Sequence, residues 1–156
     1  PDARMLIVNH HEHAAVRVAA DRAGIPAERI EIGGAPHAEV AARIQRMHAT
    51  SALIRPCFSK LSSAPTKLAE YLGCGVPCVG NTGVGDMESI LEGDGTGVTL
   101  RAFDASSLGT AADRILALSA DQLVRARCRN TALSRFSLTN GVTAYRSIYS
   151  RLVVHT

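Results

Sequence analysis

Short apolar runs alternate along the chain with longer stretches in which apolar residues recur at helical spacing, and this alternation predicts its elements. Met5-Leu-Ile-Val8 is a continuous apolar run of strand length, the pattern of a strand buried on both faces. Residues 12–23 follow with Ala and Val at helical spacing until Gly24 stops the helix. Residues 29–32 read as a second strand, Gly33, Gly34, Ala35 and Pro36 as a turn, and residues 37–47 as a helix with Val40, Ala41, Ile44 and Met47 on one face. A third strand is expected at residues 51–54. A loop containing Ser and Pro then runs to a helix over residues 65–72, with Pro65 in its first turn and Gly73 and Gly75 past its end. A fourth strand begins at Cys78 and Val79, and a glycine-rich stretch at residues 80–85 leads into a short helix at 86–91. The fifth strand is residues 98–100. Helical patterns fill the rest: residues 106–118 with Leu108, Ala112, Ile115 and Leu116, then a helix opened by a capping box at residues 119–122. A last amphipathic helix carries Val142, Tyr145, Ile148, Tyr149 and Leu152.

Strands alternating with helices imply an α/β fold, a Rossmann-like parallel sheet covered by helices on both faces. In such sheets ligands bind beyond the carboxyl ends of the strands, which points to the loops after Val8, Ile32, Ile54 and Val79. No repeat or linker divides the 156 residues, so the chain reads as one domain, and at 46% hydrophobic and 20% charged it can bury a core. With aromatics at 4% and no Trp, that core must be aliphatic. The net charge of +3 is small and dispersed, against a nucleic-acid partner. No apolar run approaches the ~20 residues of a membrane span, and no signal peptide opens the chain. The four cysteines, Cys57, Cys74, Cys78 and Cys128, lack CxxC spacing and read as reduced thiols of a cytoplasmic protein. Pro1 in place of Met, close before the first strand, suggests a piece of a longer protein.

The commonest nucleotide and hydrolase fingerprints are missing. Asn9-His10-His11 follows the first strand where GxGxxG would stand, and neither GxxxxGK[ST] nor GxSxG occurs. His10, His11, Glu12 and His13 are dense in metal-binding types, but successive residues at a strand end point apart, and no metal is expected. A polar loop on a ligand crevice is the better reading of them. The segment from Ser59 to Glu70 carries more information: small hydroxyl residues, among them Ser62 and Ser63, enter a helix begun by Pro65, whose N–H groups and positive dipole end suit a phosphate. The chain's two lysines, Lys60 and Lys67, both fall here. Glu70 lies four residues beyond Thr66 and three beyond Lys67, so one helical face offers hydroxyl, ammonium and carboxylate. That set suits a nucleoside diphosphate; on spacing alone, a capped surface helix with a Lys67–Glu70 pair accounts for it equally well.

Pro65-Thr-Lys-Leu-Ala-Glu-Tyr-Leu-Gly-Cys-Gly-Val-Pro77 resembles the signature P-T-K-L-x-E-Y-[LM]-A-x-G-x-P of GT-B glycosyltransferases of the large GT4-type family (glycosyl transferases group 1). The resemblance extends through Met5–Val8, residues 30–34, and the segment from Phe136 and Ser137 through Tyr145 and Tyr149. It implies the C-terminal lobe of a GT-B fold, which binds a nucleoside-diphosphate sugar, usually in a retaining transfer. The acceptor, a glycan, lipid or small molecule, would bind largely through an N-terminal lobe that the chain lacks, along with the first strand of its own lobe.

On this resemblance Glu70 matches the second carboxylate of an E-x7-E motif and would hold the donor ribose, while Ser62 replaces the first carboxylate. Lys67 would be catalytic, stabilising the leaving diphosphate. Thr66, Ser62, Ser63, Gly33, Gly34 and His37 would complete the donor site, the Gly33 to His37 loop lying against the base. His10, Gly85 and Asp86 stand at its margin, with helix capping an equal reading for Asp86 and Glu88. No cofactor is implied beyond the substrate. The expected protein is cytoplasmic, and a peripheral membrane seat is compatible with the complete chain. The rival reading is a non-catalytic nucleotide-binding module of the same fold, which Ser62 favours.

Overall fold

The computed structural model describes residues 3–153. They divide between two compact units, Pro1–Met47 and His48–Thr156. In the first, β1 (Met5–Val8) leads to α1 (His13–Arg22), and a single 3-10 turn at Ala27–Arg29 enters β2 (Ile30–Gly33), followed by α2 (His37–Gln45). β1 and β2 are parallel, with Met5 opposite Ile30 and Val8 opposite Gly33. Burial here is thin: Ile30, Ala35 and Ile44 are buried, whereas Met5 is exposed and the rest of β1 half-buried. β1 was expected to be covered on both faces; among the described residues it pairs only along one edge, and α1 contributes no buried residue.

The second unit holds β3 (Thr50–Ser51), a 3-10 turn at Phe58–Lys60, α3 (Thr66–Gly73), β4 (Cys78–Asn81), a π-helical turn at Ser89–Gly93, β5 (Gly97–Leu100), α4 (Ala105–Ser119), α5 (Val124–Phe136) and α6 (Leu138–Val153). Its three strands are parallel in the order β3-β4-β5. The strands are thus hydrogen-bonded as two parallel sheets, where the sequence pattern suggested one. β5 is buried throughout, as its apolar run requires. Leu68 and Leu72 of α3, Met87, Ile90 and Leu91 around the π-helical turn, and Val124 and Cys128 of α5 form one aliphatic cluster with Cys78 and Val84. Aromatic rings stay at its margin, where Tyr71 and Phe136 are partly buried.

Three local expectations are corrected. The third strand was expected to reach residue 54, but the ladder runs only to Ala52, whose N–H reaches the Val79 carbonyl at 2.8 Å. Beyond it the buried Asn81 side chain takes over, its Oδ1 accepting from the Ile54 N–H at 2.8 Å. In place of the helix expected at 86–91 there is a π-helical turn at Ser89–Gly93, and the Thr96 Oγ1 donates to the Ile90 carbonyl from outside the turn. The capping box at residues 119–122 does not form. Ser119 Oγ donates backward to the Leu116 carbonyl, and Asp121 Oδ1 accepts from the Leu123 N–H at 2.9 Å, so α5 starts at Val124, four residues later than a box on Ser119 would place it.

The glycines at the end of β4 and in the turn after it have a steric origin. A Cβ on Gly80, within β4, would overlap the Met87 sulfur and crowd Leu91, so glycine here lets those side chains pack onto the strand. Gly85 has φ 45° and abuts the Ser63 carbonyl, a left-handed position with no room for a side chain.

Candidate functional site

At the carboxyl end of β1 and β2 the two following loops meet. The Asn9 N–H donates to the Gly33 carbonyl at 3.0 Å, His13 Nε2 contacts the Asn9 carbonyl at 2.5 Å, and the His11 N–H reaches Asn9 Oδ1 at 3.2 Å. Glu12 takes φ 60° to fit this knot. The His10 ring lies over Gly34, where a Cβ would come within 2.9 Å of its Nδ1. His37 opens α2 and is exposed, with Pro36 before it and no capping side chain. His10, Gly33, Gly34 and His37 therefore share one end of the first unit.

Ser62, Ser63, Thr66, Lys67, Glu70, Gly85 and Asp86 belong to the second unit. The loop ahead of α3 is built around the Lys60 carbonyl, which accepts from the Ser63 N–H at 3.1 Å and the Gly85 N–H at 2.9 Å. The loop after β3 is thereby fastened to the loop after β4, and Gly83 packs near Pro56 beside this junction. Ser63 Oγ donates to the Ser59 carbonyl, and the exposed Cys57 Sγ lies 3.3 Å from Ser59 Oγ. That hydroxyl contact lowers the Cys57 thiol from its ordinary range, with the Lys60 backbone and ammonium adding to it. Sequence reasoning missed Asn81, which ties the start of this loop to β4. Its place after Gly80 reads as loop, and only its isolation at the end of an apolar strand could have flagged it.

α3 begins without a cap. Pro65 precedes it in extended geometry, the Leu68 N–H is already bonded to the Pro65 carbonyl, and among the described residues no side chain accepts from the N–H groups of Thr66 and Lys67. α4 is different: Asp104 Oδ1 accepts from the Ser107 N–H at 2.9 Å and fills its own helix end with negative charge. The α3 end thus keeps open donors and an uncompensated positive dipole. Thr66, Lys67 and Glu70 are all exposed on it, and neither Lys60 nor Lys67 forms an ion pair among the described residues. The Lys67–Glu70 pair that a plain surface helix would show is not made. Asp86 follows Gly85 and is exposed; it caps no helix, and Glu88 is held by Arg101 at 2.6 Å.

Elsewhere in this unit charges are matched. Burial by itself would raise the Glu92 carboxyl, but hydrogen bonds from Arg114 and Thr99 outweigh it and hold it below the usual carboxylate range. Asp94 pairs with Arg135, and Asp121 with Arg127. No three His, Cys, Asp or Glu side chains among the described residues converge as metal ligands, and no described helix is long and apolar enough to cross a membrane.

Solved structures share this fold. Sucrose-phosphate synthase from Thermosynechococcus elongatus superposes with a TM-score of 0.76 at 17% identity, covering 98% of this chain and 39% of the synthase. AviGT4, a glycosyltransferase involved in avilamycin A biosynthesis, superposes with a TM-score of 0.68 at 18% identity, covering 98% of this chain and 44% of its own. No family model and no curated protein matches the sequence. The fold is therefore α/β, with parallel sheets and flanking helices of the GT-B glycosyltransferase type. The chain spans about two fifths of the length of these structures.

Proposed function

We propose that residues 1–156 act as one nucleotide-sugar-binding domain, the C-terminal lobe of a GT4-type glycosyltransferase. The observation that carries this reading is the uncapped start of α3 with two lysines outside any ion pair, in a fold shared with glycosyltransferases. Lys67 and the open N–H groups of Thr66 and Lys67 bind the donor diphosphate, with Lys60 and the Ser62 and Ser63 hydroxyls beside it. Glu70, one turn on, accepts hydrogen bonds from the vicinal ribose hydroxyls.

As the glycosidic bond to the diphosphate breaks, negative charge grows on the leaving oxygen, and Lys67 with the helix end stabilises it there. These groups supply the positive charge from the protein itself. The sugar passes with retention to an acceptor glycan, lipid or small molecule held mainly by another lobe. The non-catalytic alternative draws on Ser62, which puts a hydroxyl where the resembling enzymes carry a carboxylate.

Calorimetry with UDP, GDP, dTDP, ADP and CMP tests the reading. At least one diphosphate should bind, and Lys67→Ala should weaken it about 10-fold, the worth of one hydrogen bond to a charged group. Failure of every nucleoside diphosphate to bind would refute it.

A further inference from the structure

The loop after β3 is tied at both of its ends to the segment that closes β4. At its start the Ile54 N–H is held by Asn81 Oδ1 at 2.8 Å, and at its end the Lys60 carbonyl accepts from the Gly85 N–H at 2.9 Å. Pro56 packs near Gly83 between the two ties. The second tie reaches the start of α3. Ser63 shares the Lys60 carbonyl through its own N–H at 3.1 Å, and its carbonyl abuts Gly85. Pro65, at the N-cap of α3, is two peptide units further on, a span of at most about 7.6 Å between Cα atoms. Gly85 is shaped for this contact: its φ of 45° is left-handed, and a Cβ there would overlap the Ser63 carbonyl oxygen, so a side chain would push the two loops apart.

Resting on the donor-site reading above, we infer that Gly85 is a positioning residue for the diphosphate, its N–H clasping the Lys60 carbonyl so that the backbone entering α3 has its binding shape before any ligand arrives. Gly85 acts through Lys60 and Ser63, which lead into the open N–H groups of Thr66 and Lys67. Without the clasp, the residues between the 3-10 turn and Pro65 would be fixed only by local turns, and their remaining freedom would be lost on binding. With it, the ordering is complete in the free chain.

The test is calorimetry with UDP, GDP, dTDP and ADP on wild type, Gly85→Ala and Gly83→Ala. Gly83 lies in the same turn and is left-handed too, with φ 79°, but a Cβ there would meet Pro56 at an ordinary 3.5 Å. Gly83→Ala therefore carries the backbone strain without the collision. Gly85→Ala should weaken the diphosphates that bind wild type about 10-fold, the worth of freeing roughly one residue's backbone, and Gly83→Ala should leave them within about twofold. Because Gly85→Ala removes no charge, the salt dependence of binding should stay as in wild type, whereas Lys67→Ala flattens it. Equal loss in the two glycine variants, or no loss in Gly85→Ala, overturns the positioning role and leaves the diphosphate site standing. Amide exchange on wild type reads the clasp without any variant: the Gly85 and Ser63 N–H groups should be protected in the free chain, and protection that appears only with a diphosphate would overturn the role, since the loop would then form on binding. If wild type binds none of the four nucleotides, the donor-site reading falls and the positioning role with it.

Discussion

Glu70 and Cys57 show how much a single position in this region depends on its neighbours. Glu70 has its hydroxyl and ammonium companions at helical spacing but no ion pair with Lys67, so its carboxylate remains open to a ligand. On the proposed donor reading, Glu70→Ala should abolish the preference for ribose over 2′,3′-dideoxyribose diphosphates, a change of about 10-fold in the affinity ratio, while Lys67→Ala leaves that ratio intact. Titrating the two variants with both sugars decides it. The cysteines divide just as clearly. Burial pushes the Cys78 thiol up to about 12 and Cys128 to about 11, and burial also raises Cys74, whereas the exposed Cys57 is lowered by Ser59. Iodoacetamide at about pH 8 should therefore modify Cys57 first, because only the thiolate attacks. Mass spectrometry of the native protein should locate the first label there, with the buried thiols reacting after unfolding.

At the scale of elements, apolar runs marked the strands well, because β4 and β5 are buried and their residue types had to be small or aliphatic. Where side chains satisfy backbone groups, the pattern was silent. Asn81 ends the third strand early and Thr96 shapes the π-helical turn, and neither carries a periodicity that could be read in advance. The candidate site was legible in part: a Pro-led helix with hydroxyls and lysines is a local signal, but the fastening of Lys60 to Gly85 joins residues far apart in sequence. Glu92 ties the π-helical turn to β5 and α4 through Thr99 and Arg114. Its carboxyl is lowered on folding, so the unfolded chain takes up the proton first as pH falls. The contribution is present above the unfolded value and lost as pH drops through the folded one. The melting temperature should fall as pH drops through and below the ordinary carboxylate range, and Glu92→Gln should flatten that slope at a cost of about 1 kcal/mol at neutral pH, because the pair is partly exposed.

For the whole molecule, likeness to solved glycosyltransferases reaches across nearly all of this chain but less than half of theirs. On the proposed reading, this polypeptide binds a donor without completing a transfer, since bringing donor and acceptor together contributes much of the rate. Incubation with nucleotide sugars and a panel of glycan and lipid acceptors should give no transfer above the buffer rate. Product formed by the chain alone would mean that it carries an acceptor site of its own.

At its N-cap position the helix that opens at Thr66 carries a proline where the one that opens at Ala105 carries an aspartate. An aspartate in place of Pro65 would be a tethered inhibitor, an anion at high effective concentration that occupies the helix end before any diphosphate arrives. Pro65→Asp should raise thermal stability by about 1 kcal/mol through the new cap and lower nucleotide affinity in the same protein. Melting curves and calorimetry on that one variant would show stability and binding moving in opposite directions, and parallel movement would mean that the helix end is not where the ligand sits. On the proposed reading, proline at this position forgoes the stability of a cap and leaves the N–H groups of the helix end free for a diphosphate.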